Sequence, residues 1–163
     1  MSSTTATAGQ VDRAVGTDTL PDEVLRFSSL GRVDYADWFC LRTDVYATPE
    51  EWARAMFGNV PNATELFIWR GLLGFRVRRE RSPDLVAGWR ITSRSTTWIR
   101  LETASWFLAG NLVVHVSGDR VSLTTFLRYD QALARVLWPT LSAVHRRLVP
   151  GLLRGAEASL LRG

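Results

Sequence analysis

Residues 105–129 read SWFLAGNLVVHVSGDRVSLTTFLRY, and this stretch decides the fold. Apolar residues alternate with polar or small ones on both sides of the tripeptide Ser117-Gly118-Asp119. Such alternation is typical of strands with one buried face, and a short polar turn with a glycine joins strands that lie side by side. The pattern therefore predicts that residues 105–116 and 120–129 are strands that pair antiparallel as a hairpin.

Further strands are indicated upstream of this hairpin. Residues 84–91 and 97–103 show the same period of two, and residues 32–42 (RVDYADWFCLR) are dense in aromatic and β-branched residues, which suit a pleated surface. Residues 75–81 are a candidate for an additional edge strand. The sequence thus predicts an antiparallel sheet whose first strand is residues 32–42.

Two short helices are predicted between the first strand and the rest of the sheet. Thr48-Pro49-Glu50-Glu51 is typical of a helix start, with threonine as the N-cap, proline at the first helical position and acids where the helix dipole favours them. This helix should end near Phe57, because Gly58 follows it. The second should run from Asn62 to about Gly74, because apolar residues recur there at helical spacing.

Residues 131–161 carry a stripe of apolar residues at helical spacing. Apart from the adjacent Val136 and Leu137, neighbouring members lie three or four positions apart: Leu133, Val136, Leu137, Leu141, Val144 and Leu148. The stripe predicts an amphipathic helix of about 19 residues. Pro139 should kink this helix, and Pro150 should end it or restart it at a new angle, because proline lacks the N–H that the helix needs.

The order of these elements predicts an α+β fold. Helices and strands do not alternate along the chain, which argues against a parallel sheet. A bent antiparallel sheet wrapped around the long C-terminal helix satisfies the order, and such a fold leaves a cavity between sheet and helix. Residues 20–163 are expected to form one domain, and the Ser-, Thr- and Ala-rich residues 1–19 a disordered leader.

The composition excludes several kinds of chemistry. The chain has 163 residues, 46% hydrophobic and 22% charged, which suits one soluble domain without a membrane span. All 20 basic residues are arginines, which excludes a lysine Schiff base, a pyridoxal phosphate anchor and a Walker phosphate loop. Cys40 is the only cysteine, so intrachain disulfides and Cys-rich metal centres are excluded, and a reducing cytoplasm is the expected location.

Six short motifs follow one another along residues 33–153 and carry a family resemblance. They are Asp34-Tyr35-Ala36-Asp37, Trp52-Ala53-Arg54, Gly88-Trp89-Arg90-Ile91, Leu101-Glu102-Thr103-Ala104-Ser105-Trp106, Thr125-Phe126-Leu127-Arg128-Tyr129 and Val144-His145-Arg146-Arg147. With them the chain resembles a largely actinobacterial family, without an assigned activity, of the START-like superfamily, which also contains Bet v 1 relatives and polyketide cyclases. The resemblance implies the helix-grip fold and a cavity for hydrophobic small molecules, which members of the superfamily bind, cyclise or dehydrate.

We therefore expect the protein to bind a largely apolar small molecule and to act as a cofactor-independent cyclase or isomerase in biosynthesis. Two alternatives stay open: a non-catalytic carrier or sensor of the same kind of ligand, and an interaction module without a ligand. No metal site is expected, because His115 and His145 are the only histidines and no ligand-spacing motif is present. The oligomeric state is open, with a homodimer as one option.

Six side chains are expected to approach a common cavity: Trp89, Trp106, Asn111, Tyr129, Trp138 and His145. Aromatic rings there would stack on a planar or polyene ligand. Trp138 and His145 are about two helical turns apart and therefore share a helix face. Strand alternation sets Asn111 opposite Trp106 unless a bulge near Gly110 shifts the register. The competing interpretation is that most of the tryptophans belong to the core.

His145 and Glu102 are the candidate catalytic residues. Imidazole titrates near neutral pH, and His145 lies beside the apolar stripe, although a surface or capping histidine is the alternative. Glu102 shares a strand face with Trp98 and Arg100, where it forms a solvated cross-strand ladder if that face is the outer one. If a bulge inverts the pattern, Glu102 becomes a buried carboxylate suited to acid–base chemistry, with Thr125 among the groups that orient a substrate carbonyl.

Residues 76–81 (RVRRER) form the strongest basic cluster of the chain. Concentrated arginine is typical of phosphate binding, but this run is brief, Glu80 interrupts it and no nucleic-acid motif accompanies it. A solvated sheet edge, with the arginine stems lying on apolar surface, accounts for the run better. No nucleic-acid partner is therefore expected.

Overall fold

The computed structural model describes residues 9–58 and 73–163. Over these ranges the chain forms β1 Val11–Val15, α1 Asp22–Leu25, β2 Tyr35–Arg42, α2 Pro49–Phe57, β3 Leu85–Val86, β4 Trp89–Arg94, β5 Trp98–Ala104, β6 Leu108–Ser117, β7 Arg120–Tyr129 and α3 Ala132–Arg162. The seven strands of this part form one antiparallel sheet in the order β1-β2-β7-β6-β5-β4-β3. The prediction of an α+β fold with an antiparallel sheet and a long C-terminal helix is confirmed.

Strands β6 and β7 form the predicted hairpin in the middle of the sheet. Their register pairs Leu108 with Tyr129 at one end and Ser117 with Arg120 at the other. The turn between them contains Gly118 at a φ of 58°, a left-handed conformation that glycine adopts without steric cost. On its other edge β7 pairs with β2. An early strand therefore lies beside the last one, which brings distant parts of the sequence together.

Residues 11–15 form a strand of the sheet, which corrects the expectation of a disordered leader for this part of residues 1–19. Residues 1–8 lie outside the described residues. Strand β1 pairs with β2 from Val11 opposite Leu41 to Val15 opposite Asp37. Because β2 pairs with β7 on its other side, β1 satisfies backbone groups that would otherwise form an open edge. The sequence of β1, VDRAV, is short and alternates weakly, so the Ser- and Thr-rich composition around it concealed the strand.

The chain after β1 covers one side of the sheet, which we call the outer face. Leu20 and Val24 pack there against Ala36, Val113 and Phe126 of the sheet. The main core lies on the opposite side, the inner face, beneath α2 and α3. The sheet is therefore covered on both sides, with the two long helices on the inner face.

Helix α2 has the predicted boundaries. Thr48 Oγ1 accepts a hydrogen bond from the Glu51 N–H, and a Glu51 carboxylate oxygen accepts one from the Thr48 N–H. This capping box satisfies two backbone donors that the first turn leaves without helical partners. Gly58 follows the last turn at a φ of 79°. The second predicted helix, which begins at Asn62, lies outside the described residues.

Residues 84–91 form two strands joined by a tight turn, where the sequence predicted one strand. Ala87 and Gly88 have φ values of 48° and 82°. Two adjacent positive φ values are the requirement of a two-residue hairpin turn of type I′, and Val86 pairs with Trp89 across it. An alanine rarely adopts this conformation, so its presence gave no turn signal.

Residues 75–81, the candidate edge strand, follow the edge of the sheet without regular strand geometry. The Arg76 N–H donates to Ala104 O and the Arg78 N–H to Gly88 O, each at 3.1 Å. Their neighbours Phe75 and Val77 are buried in the main core. The arginines of this segment therefore lie on the outer side, while the apolar residues between them point inward.

Helix α3 is longer than the sequence predicted. It runs from Ala132 to Arg162 through both Pro139 and Pro150, so of the two predicted outcomes the one in which Pro150 ends the helix is wrong. Beyond Pro150, Leu153 and Ala156 are buried in the main core, and this apolar burial outweighs the backbone hydrogen bond that a proline removes. Neither α3 nor another described helix combines the length and apolarity needed to cross a membrane.

Candidate functional site

A cavity of about 460 Å³ lies between the inner face of the sheet and helix α3. Its apolar lining includes Leu112, Leu123 and Leu127 from the sheet and Leu141, Val144 and Leu148 from the helix. Val144 and Leu148 are 50% and 54% exposed, so the cavity opens to solvent beside the helix. Small-molecule sites usually measure about 300–1,000 Å³. The cavity therefore has the size and lining for one small organic molecule.

Two of the tryptophans expected at a cavity line this one. Trp89 reaches it from β4, with its ring edge-on to Phe75 at a centroid distance of 5.4 Å. Trp138 reaches it from α3 and lies 5.2 Å from the Tyr35 ring and 5.6 Å from the His145 ring. Trp138 Nε1 is buried and has no hydrogen-bond partner among the described residues. Since buried indole N–H groups normally have a partner, this donor is suited to a ligand acceptor.

His145 lies in the wall of the cavity and is paired with a buried carboxylate. Its Nε2 lies 2.9 Å from Asp37 Oδ2 and 3.2 Å from Thr125 Oγ1. The Asp37 side chain is fully buried, whereas 22% of the His145 side chain is exposed. Asp37 and Thr125 are direct cross-strand partners in β2 and β7, so the register of the sheet places both beneath the histidine.

Tyr35 completes this polar group on the inner face. Its hydroxyl donates a hydrogen bond to Asp37 Oδ2 at 2.6 Å. Burial and the adjacent charge and hydrogen bond of Asp37 raise the pKa of the Tyr35 phenol well above its ordinary value, although Arg146 opposes the shift. The phenol therefore stays protonated at physiological pH and keeps donating to the carboxylate. Asp37 Oδ1 is buried without a partner in the described part of the chain.

This geometry determines which nitrogen of His145 carries the proton in neutral imidazole. A carboxylate accepts hydrogen bonds but does not donate them, so the Nε2 that faces Asp37 is the protonated nitrogen. Nδ1 then has a free lone pair, and none of the described residues donates to it. A carboxylate that fixes the tautomer also stabilises the imidazolium formed when Nδ1 takes up a proton. The pair can therefore accept a proton from a bound molecule and return it.

Glu102 and Asn111 lie on the outer face and do not reach the cavity. They are cross-strand partners in β5 and β6, and Asn111 Nδ2 donates to Glu102 Oε1 at 3.2 Å. The register of these strands is continuous through Gly110, so the bulge that would have turned Glu102 inward is absent there. Glu102 instead forms an ion pair at 3.7 Å with Arg100, two residues away on the same strand. The alternative that places Glu102 on the outer face is therefore right about the face, but only 22% of the Glu102 side chain is exposed, so the pair is not a solvated ladder.

Trp106 and Tyr129 also lie away from the cavity. Trp106 lies in the turn between β5 and β6 and is 65% exposed. Tyr129 ends β7, where the Arg135 guanidinium lies 5.9 Å from its ring and its backbone N–H donates to Asp34 Oδ2 at 2.7 Å. The structure therefore brings together Trp89, Trp138 and His145 of the side chains expected at one cavity, and separates Trp106, Asn111 and Tyr129 from them.

Sequence reasoning missed Asp37 as a site residue. It lies in the middle of the first predicted strand, where alternation places Tyr35, Asp37 and Phe39 on one face. A carboxylate between two aromatic residues on a buried face was the available signal, because a buried charge needs a partner. Its partner His145 belongs to the last helix, and no local pattern in the sequence connects the two.

The described residues contain no group of three His, Cys, Asp or Glu side chains that could hold a metal ion. Cys40 is buried, and burial raises the pKa of its thiol to about 11. Because the thiolate is the reactive form, this cysteine is a poor nucleophile at neutral pH. The acid–base groups of the inner face are therefore the chemically significant feature of the cavity.

Comparisons with protein-family models, curated proteins and solved structures found no significant match to this chain.

Proposed function

We propose that the protein binds a largely apolar small molecule in the cavity beneath α3 and moves a proton within it, as a cofactor-independent isomerase or cyclase. The observation that carries this proposal is the Asp37–His145 pair, which lies in the wall of an otherwise apolar cavity. A buried carboxylate costs desolvation energy, so one that holds a histidine in the wall of a ligand-sized space is better explained by chemistry than by stability.

The lining supports an apolar ligand with a planar portion. Leucine and valine side chains supply most of the walls, and the rings of Trp89 and Trp138 supply flat surfaces on two sides. Burying apolar ligand surface contributes roughly 25 cal/mol per Å² before the cost of association. The unpartnered Trp138 Nε1 would fix the orientation of a ligand that carries an acceptor, such as a carbonyl oxygen.

The proposed reaction uses His145 as the base. Its Nδ1 takes a proton from an acidic carbon next to a carbonyl, and the resulting imidazolium, stabilised by Asp37, returns the proton to another atom of the same molecule. No net oxidation or group transfer occurs, so no cofactor is needed. Where the ligand is a flexible chain, enclosure in a reactive conformation lowers the barrier further, by roughly 7 kcal/mol in favourable cases.

We also infer that the fold is the helix-grip arrangement implied by the resemblance to the START-like superfamily. The position of β2 beside β7 and the packing of α3 on the inner face support this inference. A helix held against a bent antiparallel sheet leaves its cavity at their interface, which is where the lining residues of this chain lie.

Binding is tested with N-phenyl-1-naphthylamine, a neutral apolar dye whose fluorescence rises in apolar surroundings. We expect saturable binding and energy transfer from tryptophan to the dye. Trp138→Phe should lower this transfer more than the control Trp106→Phe, because Trp138 lines the cavity and Trp106 does not. An absence of saturable binding, or equal effects of the two variants, would contradict a ligand site beneath α3.

Proton transfer is tested with 2-tetralone, an apolar ketone with acidic C–H groups, in deuterated water. We expect the protein to accelerate deuterium incorporation, and His145→Gln to lower the rate about 10²-fold or more. Thr125→Val should retain most of the rate, because Asp37 still fixes the imidazole. Binding of the ketone without accelerated exchange would favour the non-catalytic carrier instead.

A further inference from the structure

A second pocket of about 460 Å³ lies on the outer face of the sheet, and its character is the opposite of the first. Its lining includes three arginines, Arg76, Arg78 and Arg90, together with the side chains of Glu102 and Asn111. The sheet itself separates this pocket from the apolar cavity. A function of the outer pocket is therefore independent of the function proposed for the inner one.

Backbone hydrogen bonds fix the positions of Arg76 and Arg78. The hydrogen bonds of Arg76 N to Ala104 O and of Arg78 N to Gly88 O hold the edge segment against the sheet. Because the buried Phe75 and Val77 anchor this segment from the inner side, the two arginines between and after them project outward. The arginine run that the sequence singled out thus contributes its first two members to one pocket.

The charges in this pocket do not cancel one another. Among the residues that the structure describes, the guanidinium groups of Arg76 and Arg90 have no hydrogen-bond or ion-pair partner, and that of Arg78 makes only an exposed pair with Glu80. Glu102, the carboxylate of the pocket, is already held by Ser29 and Asn111 and lies 3.7 Å from Arg100. The pocket therefore presents positive charge to solvent.

Glu102 and Asn111 add directional hydrogen bonding at the floor. Asn111 is 1% exposed, and its Oδ1 accepts a hydrogen bond from the Ser29 N–H at 2.9 Å, which fixes the amide. The bonds that Glu102 makes to Ser29 and Asn111 both use Oε1. Within the described residues Oε2 accepts no hydrogen bond, so it is an acceptor for a ligand hydroxyl.

We propose that the outer pocket binds a small organic anion that carries a phosphate or carboxylate group and at least one hydroxyl group. The planar guanidinium groups of Arg76 and Arg90 hold the anionic group, since they match the geometry of phosphate and carboxylate oxygens. The hydroxyl group donates to Glu102 Oε2. The negative charge of Glu102 repels an anion that has no hydroxyl group. A ligand that carries a hydroxyl group offsets this repulsion with its hydrogen bond to Oε2, so the pocket selects for such ligands.

The test is isothermal titration calorimetry at low ionic strength with two probes, inorganic phosphate and glycerol 3-phosphate. We expect both to bind saturably and glycerol 3-phosphate to bind more tightly. The double variant Arg76→Gln/Arg90→Gln should weaken both about tenfold or more. Arg81→Gln is the matched control, because it lies in the same arginine run outside this pocket, and it should change neither affinity by more than about twofold.

Glu102→Gln tests the selectivity separately. Removing its negative charge should strengthen the binding of inorganic phosphate about threefold, because a like charge near the anion is lost. The preference for glycerol 3-phosphate should shrink at the same time. An unchanged preference would contradict the assigned role of Glu102.

Three results would overturn the anion site. The first is an absence of saturable binding for both probes. The second is an equal loss of affinity in Arg81→Gln and in the double variant, which would indicate a diffuse basic surface. The third is tight binding of single-stranded DNA that depends as strongly on Arg79 and Arg81 as on Arg76, which would assign the whole run to nucleic acid.

Arg76 and Arg90 are exposed, so their variants should retain the thermal unfolding midpoint of the wild type.

Discussion

His145 on α3 and Asp37 on β2 meet on the inner face of the sheet, with Nε2 and Oδ2 2.9 Å apart. This contact joins the C-terminal helix to a strand near the other end of the chain. It therefore couples the position of the helix over the cavity to the orientation of the imidazole. A ligand in the cavity faces a histidine that is already oriented, which reduces the ordering cost of a proton-transfer step.

The first prediction concerns the tautomer of His145. When the imidazole of His145 is neutral, nitrogen-15 NMR of labelled histidine should show its proton on Nε2, because that atom faces the carboxylate. Asp37→Asn should reduce this preference, since an amide can donate as well as accept. Thr125→Val should keep it. Observation of the proton on Nδ1 in the wild type would contradict the assigned base.

The second prediction concerns the turn between β3 and β4. A Cβ at Gly88 would overlap the backbone carbonyl of Arg78, and its φ is 82°. Gly118 also has a positive φ, 58°, but nothing lies within 4 Å of its Cβ position. Gly118→Ala should therefore cost roughly 1–2 kcal/mol from backbone conformation alone.

Gly88→Ala should cost at least about 1 kcal/mol more than Gly118→Ala, because the overlap adds strain to the same conformational cost. Urea unfolding of both variants measures the difference in the free energy of unfolding. An equal loss in the free energy of unfolding for the two variants would show that the edge segment containing Arg78 moves away from the turn without an energetic cost.

The sequence predicted those features of the fold that depend on local pattern. The β6–β7 hairpin and the capping box of Thr48 and Glu51 were recognisable because each depends on residues a few positions apart. The strand β1 and the full length of α3 were not, because both are stabilised by tertiary contacts that outweigh weak or contrary local signals. Pro150 shows this clearly, since burial of the residues after it maintains the helix.

The candidate site was predictable to the same limited extent. His145 and Trp138 were placed on one helix face by periodicity, and the structure has both at the cavity. Asp37 was not identified, because its role comes from the strand order that sets β2 beneath α3. Glu102 was placed correctly only in the alternative interpretation, since a bulge at Gly110 is a tertiary feature that alternation cannot decide.

The third prediction compares two leucines of α3. Leu153 is fully buried in the main core, whereas Leu148 lines the mouth of the cavity and is 54% exposed. Leu153→Ala should lower the free energy of unfolding by about 2–5 kcal/mol, because it leaves a cavity in the core. Leu148→Ala should cost less than about 1 kcal/mol, since much of its side chain stays in water.

Thermal or urea unfolding of the two leucine variants measures this contrast, and dye binding adds a second readout. Leu148→Ala should weaken the binding of N-phenyl-1-naphthylamine while the fold remains stable. A Leu148→Ala variant as unstable as Leu153→Ala would mean that the end of the cavity near Leu148 is closed by packing and is not open to a ligand.

The last prediction concerns the pH dependence of stability at Glu50. Burial raises the pKa of this carboxyl group, but hydrogen bonds from Arg54 and Arg94 outweigh burial and hold the pKa below its ordinary value. Arg54 Nη1 also donates to Leu85 O at 2.9 Å, so the group connects α2 to the turn region of the sheet. A carboxyl group with a lowered pKa in the folded state stabilises the fold above its ordinary pKa of 4.5, and this contribution is lost as the pH falls further.

Glu50→Gln should therefore lower the free energy of unfolding at pH 7 by about 0.5–1 kcal/mol, a modest value because the side chain is one-third exposed and water screens its charge. The wild type and the variant should converge as the pH falls from 4.5 through the lowered pKa of the folded state, because the carboxyl group of the wild type is then protonated in both states. Urea unfolding at several pH values measures this convergence.

Glu80→Gln is the control, because the Arg78–Glu80 pair is largely exposed and its loss should change stability little at any pH. A difference between Glu50→Gln and the wild type that is independent of pH would show that the carboxylate acts through packing and not through its charge.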